Sequence, residues 1–327
     1  MRFRRTAVLV CALAVTAGMA TPAVAAPKIV ELPTLPGATY TYAYDVNSAG
    51  VVVGEAYFPD FTGRALRWTR NGQVTELPNL SPGNSSATAI NNNGTIVGWS
   101  GNQAVQWNTD GTIKVLSPLP GWIGPLRAVD IADNGTVVGN TRDADFKGRA
   151  VRYPAHSTVI EELPPLPGRV ESFAMDINSS GTVVGDSDTH AARWGPDGRA
   201  EAFPTPPTYS NSRAVTIDRR GTALVTAWTP GGAGSHYRWT ATGRVIPLPS
   251  PADFLLQDVS DTGRIIGAFP DSFERHAATL APDGTTKELG ALPGDIYTMG
   301  NAINATGDLV VGYSGSSNGR RPVVWRF

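Results

Sequence analysis

The sequence predicts an all-β fold, specifically a seven-bladed β-propeller of four-stranded blades whose last blade is closed by the N-terminal strand. Three observations support this prediction: an internal repeat with the period of a propeller blade, a turn glycine in each copy, and complementary chain ends. The chain of 327 residues also contains 36 Gly and 26 Pro. This content suits many short strands joined by tight turns.

The repeat combines a small residue, a β-branched residue, usually an Asn or Asp, and then a glycine followed by an apolar run. The glycine recurs at Gly50, Gly94, Gly135, Gly181, Gly221, Gly263 and Gly307. The spacing of about 43 residues is the period expected for four-stranded propeller blades. Glycine suits this place because a tight hairpin turn needs a positive φ.

Each copy divides into four predicted strands. The first ends on a β-branched residue such as Val46, and the second is the apolar run after the glycine. The fourth carries Glu-Leu and often stops at Leu-Pro-Gly, where proline removes a ladder donor. The third ends on a large residue: Trp68, Trp107, Tyr153, Trp194, Trp239, Leu280 or Trp325. Because this residue recurs at one fixed place, we predict that the series packs between blades rather than binding sugars.

The chain ends predict how the ring closes. The last copy stops at Val324–Phe327, which is its third strand, so its fourth strand is missing. Ile29–Gly37 resembles a fourth strand, since it matches Glu162–Gly168, yet no first three strands precede it. We predict that this segment joins the last blade and removes exposed sheet edges. A β-helix would also stack repeats, but it would not need such complementary ends.

Residues 1–25 are predicted to be a signal peptide, and residues 26–327 a single propeller domain. Arginines at the start precede an apolar stretch over 7–19 that is too short to span a bilayer, and Ala23–Ala25 matches a cleavage site. We therefore expect a secreted, extracellular protein cleaved near Ala25, and we favour the general secretory route over the twin-arginine route. The single cysteine, Cys11, lies in this segment, so no disulfide is expected.

Charge and hydropathy limit the classes of partner that the chain is expected to bind. Charged residues make up 17% of the chain and the formal net charge is −1, so there is no basic excess to hold a phosphate backbone and no nucleic acid is expected. No apolar stretch after the predicted signal peptide is long enough to cross a membrane. We expect a monomer.

The repeats resemble those of bacterial extracellular proteins with HAF repeats, in which His-Ala-Phe precedes a Trp and follows an Ile-Asn-x-x-Gly segment. This chain carries His190-Ala191-Ala192-Arg193-Trp194 and a second copy at 276–280, with the Phe replaced in both. The resemblance covers nearly all of the predicted domain. It implies secretion and the repeat type, but no activity and no catalytic residues.

The connections predict which face recognises a ligand. Turns after the first and third strands are short and uniform, whereas connections after the second and fourth strands are longer and vary between copies, as recognition loops do. Aromatic and charged groups in those connections suit a carbohydrate, a peptide or another small extracellular ligand. The candidate ligand-binding residues are Phe61, Trp99, Trp122, Arg127, Tyr209, Arg213, Trp228 and Tyr297. For any single loop aromatic, packing against neighbouring blades is an equal alternative.

The sequence leaves catalysis open, because no catalytic motif is present. A hydrolase or lyase, or an enzyme of a small secreted metabolite, is the alternative to a binding module, and a protein–protein scaffold is a third. Carboxylates from separate blades could form an acid–base pair at the channel mouth. The weak catalytic candidates are Asp60, Asp271, Asp295, His190 and His276.

No cofactor is predicted, although a divalent ion bound in the channel remains open. The weak metal candidates Asp186, Asp188 and His190 lie close together in the sequence. A solvated polar loop is the favoured interpretation, because the spacing of a calcium loop is absent.

Overall fold

The fold is an all-β propeller, described here from a computed structural model. The structure describes residues 27–117, 119–155, 159–251, 253–270, 275–317 and 319–327. The predicted signal peptide at 1–25 lies outside these residues. No helix of the described part of the chain is long and apolar enough to cross a membrane.

Five repeats each form a separate antiparallel sheet of four strands in sequence order. The first sheet contains β6 (Ser85–Ile90), β7 (Ile96–Ser100), β8 (Gln103–Trp107) and β9 (Ile113–Leu116). The second contains β10 (Arg127–Ile131), β11 (Val137–Arg142), β12 (Gly148–Tyr153) and β13 (Glu161–Leu163). The third contains β14 (Phe173–Ile177), β15 (Val183–Ser187), β16 (His190–Trp194) and β17 (Ala200–Ala202). The fourth contains β18 (Asn211–Ile217), β19 (Ala223–Trp228), β20 (Gly234–Trp239) and β21 (Val245–Leu248). The fifth contains β22 (Leu255–Val259), β23 (Ile265–Pro270), β24 (Arg275–Leu280) and β25 (Thr286–Glu288).

The remaining eight strands form one sheet, so the prediction of seven four-stranded blades is wrong. These strands are β1 (Lys28–Glu31), β2 (Tyr40–Val46), β3 (Val52–Tyr57), β4 (Gly63–Trp68), β5 (Val74–Glu76), β26 (Tyr297–Ile303), β27 (Leu309–Ser316) and β28 (Gly319–Arg326). β28 pairs with β27 along its whole length, but β1 covers only its second half, from Val323 to Arg326. The uncovered first half reaches β2 through a parallel pairing of Arg320 with Tyr40, which joins both ends of the chain into one sheet.

The first strands of the repeats enclose a central channel. Each contacts the first strand of the next repeat, from β2 through β6, β10, β14, β18 and β22 to β26, and β26 contacts β2. Because consecutive strands are antiparallel, connections from first to second and from third to fourth strands share one face, which we call the short-turn face. The other connections share the opposite face, which we call the long-loop face.

The large residues that end the third strands lie in the core. Trp68, Trp194, Trp239 and Trp325 are fully buried. The indole nitrogen of Trp68 donates a hydrogen bond to the Pro33 carbonyl at 2.6 Å, and that of Trp194 donates to the Pro164 carbonyl at 2.8 Å. Pro33 and Pro164 each lie just after the fourth strand of a neighbouring repeat. These bonds therefore join neighbouring repeats, and the indole rings fill the space between them.

Candidate functional site

Six of the nine tyrosines gather around one arginine where the two chain ends meet. We call this group the tyrosine cluster: Tyr40, Tyr42, Tyr44, Tyr57, Tyr297 and Tyr313, arranged about Arg320. Tyr40, Tyr42 and Tyr44 alternate along β2, which directs side chains at every second position to the same side of a strand. The other members come from β3, β26 and β27 of the same eight-stranded sheet.

Three of the ring pairs in the cluster meet edge to face, and Tyr44 stacks on Tyr42 at 5.9 Å and 11°. Tyr42 lies at its centre, with its ring centroid 5.3 Å from that of Tyr313 and 6.0 Å from that of Tyr57, at interplanar angles of 85° and 90°. Tyr313 also meets Tyr297 at 6.3 Å and 80°. Edge-to-face pairs of this kind are favourable and hold the rings in fixed orientations.

Arg320 supplies the positive charge at the centre of the cluster. Its guanidinium lies 5.3 to 6.0 Å from the ring centroids of Tyr40, Tyr42, Tyr297 and Tyr313, within cation–π range. Its Nη1 donates to the Tyr42 hydroxyl, and its Nε to the Tyr297 hydroxyl at 3.4 Å. Burial opposes the charged form, but the hydrogen bonds to Tyr42 and Tyr297 outweigh it and raise the pKa of Arg320. The guanidinium therefore stays charged.

Glu55 is a buried acid beside the cluster. Only 2% of the residue is exposed, and its Oε1 has no hydrogen-bond partner among the described residues. The Tyr44 hydroxyl donates to its Oε2 at 3.4 Å. Burial raises the pKa of Glu55, while hydrogen bonds from Ser86, Tyr57 and Tyr44 oppose the shift. In turn, burial and the nearby Glu55 raise the pKa of Tyr57 to about 12.

Glu55 occupies a position that varies between repeats, whereas the residue before it is glycine in six of the seven repeats and Val225 in the other. Glu55 follows Gly54 of the second strand, and the residues at the same place are Trp99, Asn140, Asp186, Thr226, Ala268 and Tyr313. Each pairs with a residue of the first strand on the long-loop side of a β-bulge. Two of these residues also contact an arginine on the first strand of the next repeat: the Arg127 guanidinium lies 4.6 Å from the Trp99 ring centroid, and Arg213 donates to Asp186 at 3.0 Å.

Those two pairs also hold unpartnered polar atoms. Arg127 Nη1 and Asp186 Oδ1 are buried and have no hydrogen-bond partner among the described residues. Burial lowers the pKa of Arg127 and raises that of Asp186, which is 3% exposed. Together with Oε1 of Glu55, three buried polar atoms without a described partner therefore lie on the long-loop side of the β-bulges. Buried polar groups normally find partners, and each exception calls for an explanation such as a missing ligand.

The predicted ligand-binding residues divide among different environments. Tyr297 belongs to the tyrosine cluster, and Trp99, Arg127 and Arg213 lie in the pairs just described. Tyr209 contacts Tyr237 and donates to Ser235 at 2.9 Å, and Trp122 packs against a core cluster. Trp228 is half-buried, whereas Phe61 is 87% exposed at a loop tip with a φ of 63°.

The predicted catalytic and metal candidates do not converge. Asp60 accepts from the Thr62 backbone and hydroxyl within its own turn, and Asp295 pairs with Arg321 at 2.9 Å. Asp188 accepts from the Glu171 backbone, and His190 contacts Arg169. His276 lies half-buried on β24, and Asp271 lies outside the described residues. Among the residues that are described, no three His, Cys, Asp or Glu are grouped to hold a metal.

A second cluster of acids lines the channel toward the short-turn face. Asp130, Asp176 and Asp258 line a cavity of about 490 Å³. Each sits one residue before the end of its first strand, as does Asp45. Burial and the charge of Asp176 raise the pKa of Asp258 to about 7, and burial raises that of Asp45 to about 6. Burial and Asp176 also raise the pKa of Asp130.

Most of the tyrosine cluster was not predicted from the sequence, because the candidate residues were taken from the loops. Tyr42, Tyr44 and Glu55 lie inside strands, and Arg320 is distant in sequence from all of them. One signal was present: the alternation of tyrosine at 40, 42 and 44 occurs in no other copy of the repeat.

No family model matches the chain, and no curated protein matches it. Solved structures do. A streptogramin B lyase is 15% identical with a TM-score of 0.63, over 92% of this chain and 98% of that chain. An oligogalacturonate lyase in complex with manganese is 12% identical with a TM-score of 0.68, over 93% and 98%. The β-propeller domain of a protease from Pyrococcus furiosus is 13% identical with a TM-score of 0.61, over 88% and 94%. At these identities the likeness shows the propeller fold alone.

Proposed function

We propose that this chain is an exported recognition module that binds a small polar ligand at the tyrosine cluster. The observation that carries the proposal is the convergence of four tyrosines on Arg320, with two more packed against Tyr42, at one place on the long-loop side. Aromatic faces, phenolic hydroxyls and a guanidinium together suit stacking and hydrogen bonding to a carbohydrate or a short peptide. Orphaned atoms of Glu55 and Arg127 support a polar ligand at the same level of the channel.

A thermal-shift screen of the purified protein against saccharides and short peptides tests the proposal. A ligand present at 100 times its Kd should stabilise the protein by about 2.7 kcal/mol. We expect Tyr297→Ala to abolish this stabilisation. Tyr209→Ala is the matched control, because Tyr209 is a tyrosine of the same face that lies outside the cluster. A ligand that stabilises Tyr297→Ala as strongly as the unchanged protein would show that the site lies elsewhere.

Glu55 favours a second candidate, a propeller enzyme with its acid–base group at this site. A buried carboxyl with a raised pKa beside tyrosine hydroxyls resembles the environments in which catalytic acids are tuned. Product analysis of each ligand found in the screen separates the two functions. An enzyme would consume the ligand, and Glu55→Gln would retain binding but stop turnover. A ligand recovered unchanged by the unsubstituted protein supports the binding module.

A further inference from the structure

Arg320 differs from its neighbour on β28 in how its charge is balanced. Arg321 pairs with Glu31 at 3.0 Å and with Asp295 at 2.9 Å. Among the residues that the structure describes, no carboxylate lies within ion-pair distance of Arg320. Its charge meets only aromatic faces and phenolic oxygens. A half-buried guanidinium without an anion is the arrangement that an anionic ligand completes.

The geometry of Arg320 leaves one edge available. A guanidinium carries five N–H donors, and Nε and Nη1 are engaged by the Tyr297 and Tyr42 hydroxyls. Nη2 makes no hydrogen bond to any described residue. The planar fork suits a carboxylate, whose two oxygens accept parallel hydrogen bonds.

The electrostatic surroundings favour an anion as well. Burial raises the pKa of the Tyr313 hydroxyl, and the positive charges of Arg320 and Arg275 oppose that shift. Two cationic groups therefore act on the same ring. The acid beside the cluster, Glu55, is buried and bonded to Tyr44 instead of to Arg320.

The phenolic hydroxyls indicate what surrounds the carboxylate. Tyr42 and Tyr297 present hydroxyls beside the guanidinium: that of Tyr42 can donate a bond, whereas that of Tyr297 donates to the Ser316 carbonyl at 3.3 Å and can accept one further bond. Three ring pairs of the cluster already meet edge to face, so the remaining ring faces suit C–H groups. A ring that carries hydroxyls and C–H groups as well as an acid matches all three features.

We propose that the tyrosine cluster binds a hydroxylated carboxylic acid of the sugar-acid class, with its carboxylate on the Arg320 guanidinium. This inference rests on the proposed function, since it names the ligand class of that same site. The carboxylate would meet Nη2, the sugar hydroxyls would bond to the phenolic oxygens, and a C–H face would lie on a tyrosine ring.

Paired titrations of the purified protein, followed by NMR chemical shifts, test the carboxylate. The probes are glucuronic acid, its neutral amide and glucose, which share one ring and differ at a single carbon. Phenylacetic acid supplies a carboxylate without sugar hydroxyls. We expect glucuronic acid to bind about tenfold or more tighter than its amide, as a charge-assisted bond predicts, and tighter than phenylacetic acid.

Substitutions of Arg320 test whether its guanidinium causes the preference for the acid over the amide. Arg320→Gln should reduce the preference for acid over amide to within about twofold, and Arg320→Lys should retain part of it because the charge remains. Arg244→Gln, an exposed arginine on the short-turn face, is the matched control and should leave the preference unchanged. Melting curves of each variant show whether it is folded, and the Lys variant keeps the test decisive if the Gln variant is not.

The outcomes separate this inference from the proposed function. If acid and amide bind equally and Tyr297→Ala weakens both, the recognition site stands and the sugar-acid inference is overturned. If phenylacetic acid binds as tightly as glucuronic acid, the sugar part is overturned. If none of these probes binds, the inference is overturned, while the broader screen still decides the proposed function.

Discussion

The second-strand glycine of six repeats, whose place Val225 takes in the seventh, lies against a backbone carbonyl of the first strand. A Cβ added at Gly54 would lie 1.9 Å from the Tyr42 carbonyl oxygen, and one at Gly98 would lie 2.0 Å from that of Ser86. The contact arises because the first strand is bulged there, between Ala43 and Asp45 in the first repeat. Carbonyl oxygens of the backbone cannot move aside as a flexible side chain can. The glycine therefore permits the close approach of the two strands beside the residue that follows it.

Gly98→Ala should destabilise the protein by roughly 2 kcal/mol or more, because the backbone at the bulge must shift to admit the methyl group. Chemical denaturation followed by tryptophan fluorescence measures the change. Gly231→Ala is the control, since Gly231 has no positive φ and the nearest atom to an added Cβ is 3.9 Å away. Equal stability of the two variants would contradict the close approach.

Sequence reasoning found part of the candidate site and missed the rest for a physical reason. Tyr297 was predicted because it follows a variable connection, where recognition residues usually occur. Tyr42 and Arg320 were not, because they lie within strands and their proximity depends on pairing between the two ends of the chain. Local patterns report the strand and its turn, but not which distant strand lies alongside.

At the scale of elements, β1 has a larger role than its four residues suggest. It pairs with β28, Leu32 donates to the Pro322 carbonyl at 2.8 Å, and Leu32 is itself buried. Pro33, next in the chain, accepts from Trp68 of the adjacent repeat. The same segment thus contacts β28 on one side and β4 on the other. The sequence of β1 predicted a fourth strand. The predicted number of separate four-stranded sheets was wrong because β27 and β28 are unusually long and β28 reaches β2.

Deleting residues 26–37 should lower the melting temperature by roughly 5 °C or more, since the deletion removes the β1–β28 ladder, the buried Leu32 and the acceptor of Trp68. Differential scanning calorimetry measures it. Trp68→Phe separates the contributions, because it removes the indole bond while the ladder remains, and it should cost about 1 kcal/mol plus the lost ring volume. An unchanged melt of the deletion would mean that β1 contributes nothing to the ring.

Across the whole molecule, four aspartates join neighbouring repeats around the channel. Asp45 accepts from the Val46 N–H of its own strand and the Ile90 N–H of the next repeat, both at 2.7 Å. Asp258 does the same with Val259 and Ile303. Asp130 and Asp176 reach the next repeat in the same way. The short-turn end of the channel is therefore held by acids, while the long-loop end carries the tyrosine cluster.

One hydroxyl lies between two of these carboxyl groups. The Thr216 hydroxyl lies 2.7 Å from Asp176 Oδ2 and 2.8 Å from Asp258 Oδ1. A hydroxyl has one proton to donate, so it satisfies one of these two oxygens, and each oxygen also accepts a backbone N–H, from Ile217 and from Val259 respectively. Burial and the charge of Asp176 raise the pKa of Asp258 to about 7.

This arrangement predicts a pH dependence of stability. The pKa of Asp258 in the folded protein lies above its ordinary value, so the folded state binds the proton more tightly than the unfolded chain. Its stabilising contribution is complete below about pH 4 and is lost as the pH rises through about 7. Asp258→Asn removes the titration and keeps a carbonyl oxygen for Ile303, so the stability of the variant relative to the unchanged protein should rise as the pH increases from 5 to 8.

The comparison must be a difference, because His236 titrates in the opposite sense: burial lowers its pKa, and its contribution is lost on acidification. Subtracting the melting temperatures of Asp258→Asn and the unchanged protein at each pH cancels His236, and the difference should grow by about 2 °C or more between pH 5 and 8. Asp283→Asn, at an exposed turn where hydrogen bonds from Thr285 lower the pKa, should show no growth over that range. A flat difference for Asp258→Asn would mean that the carboxyl is already ionised at pH 5.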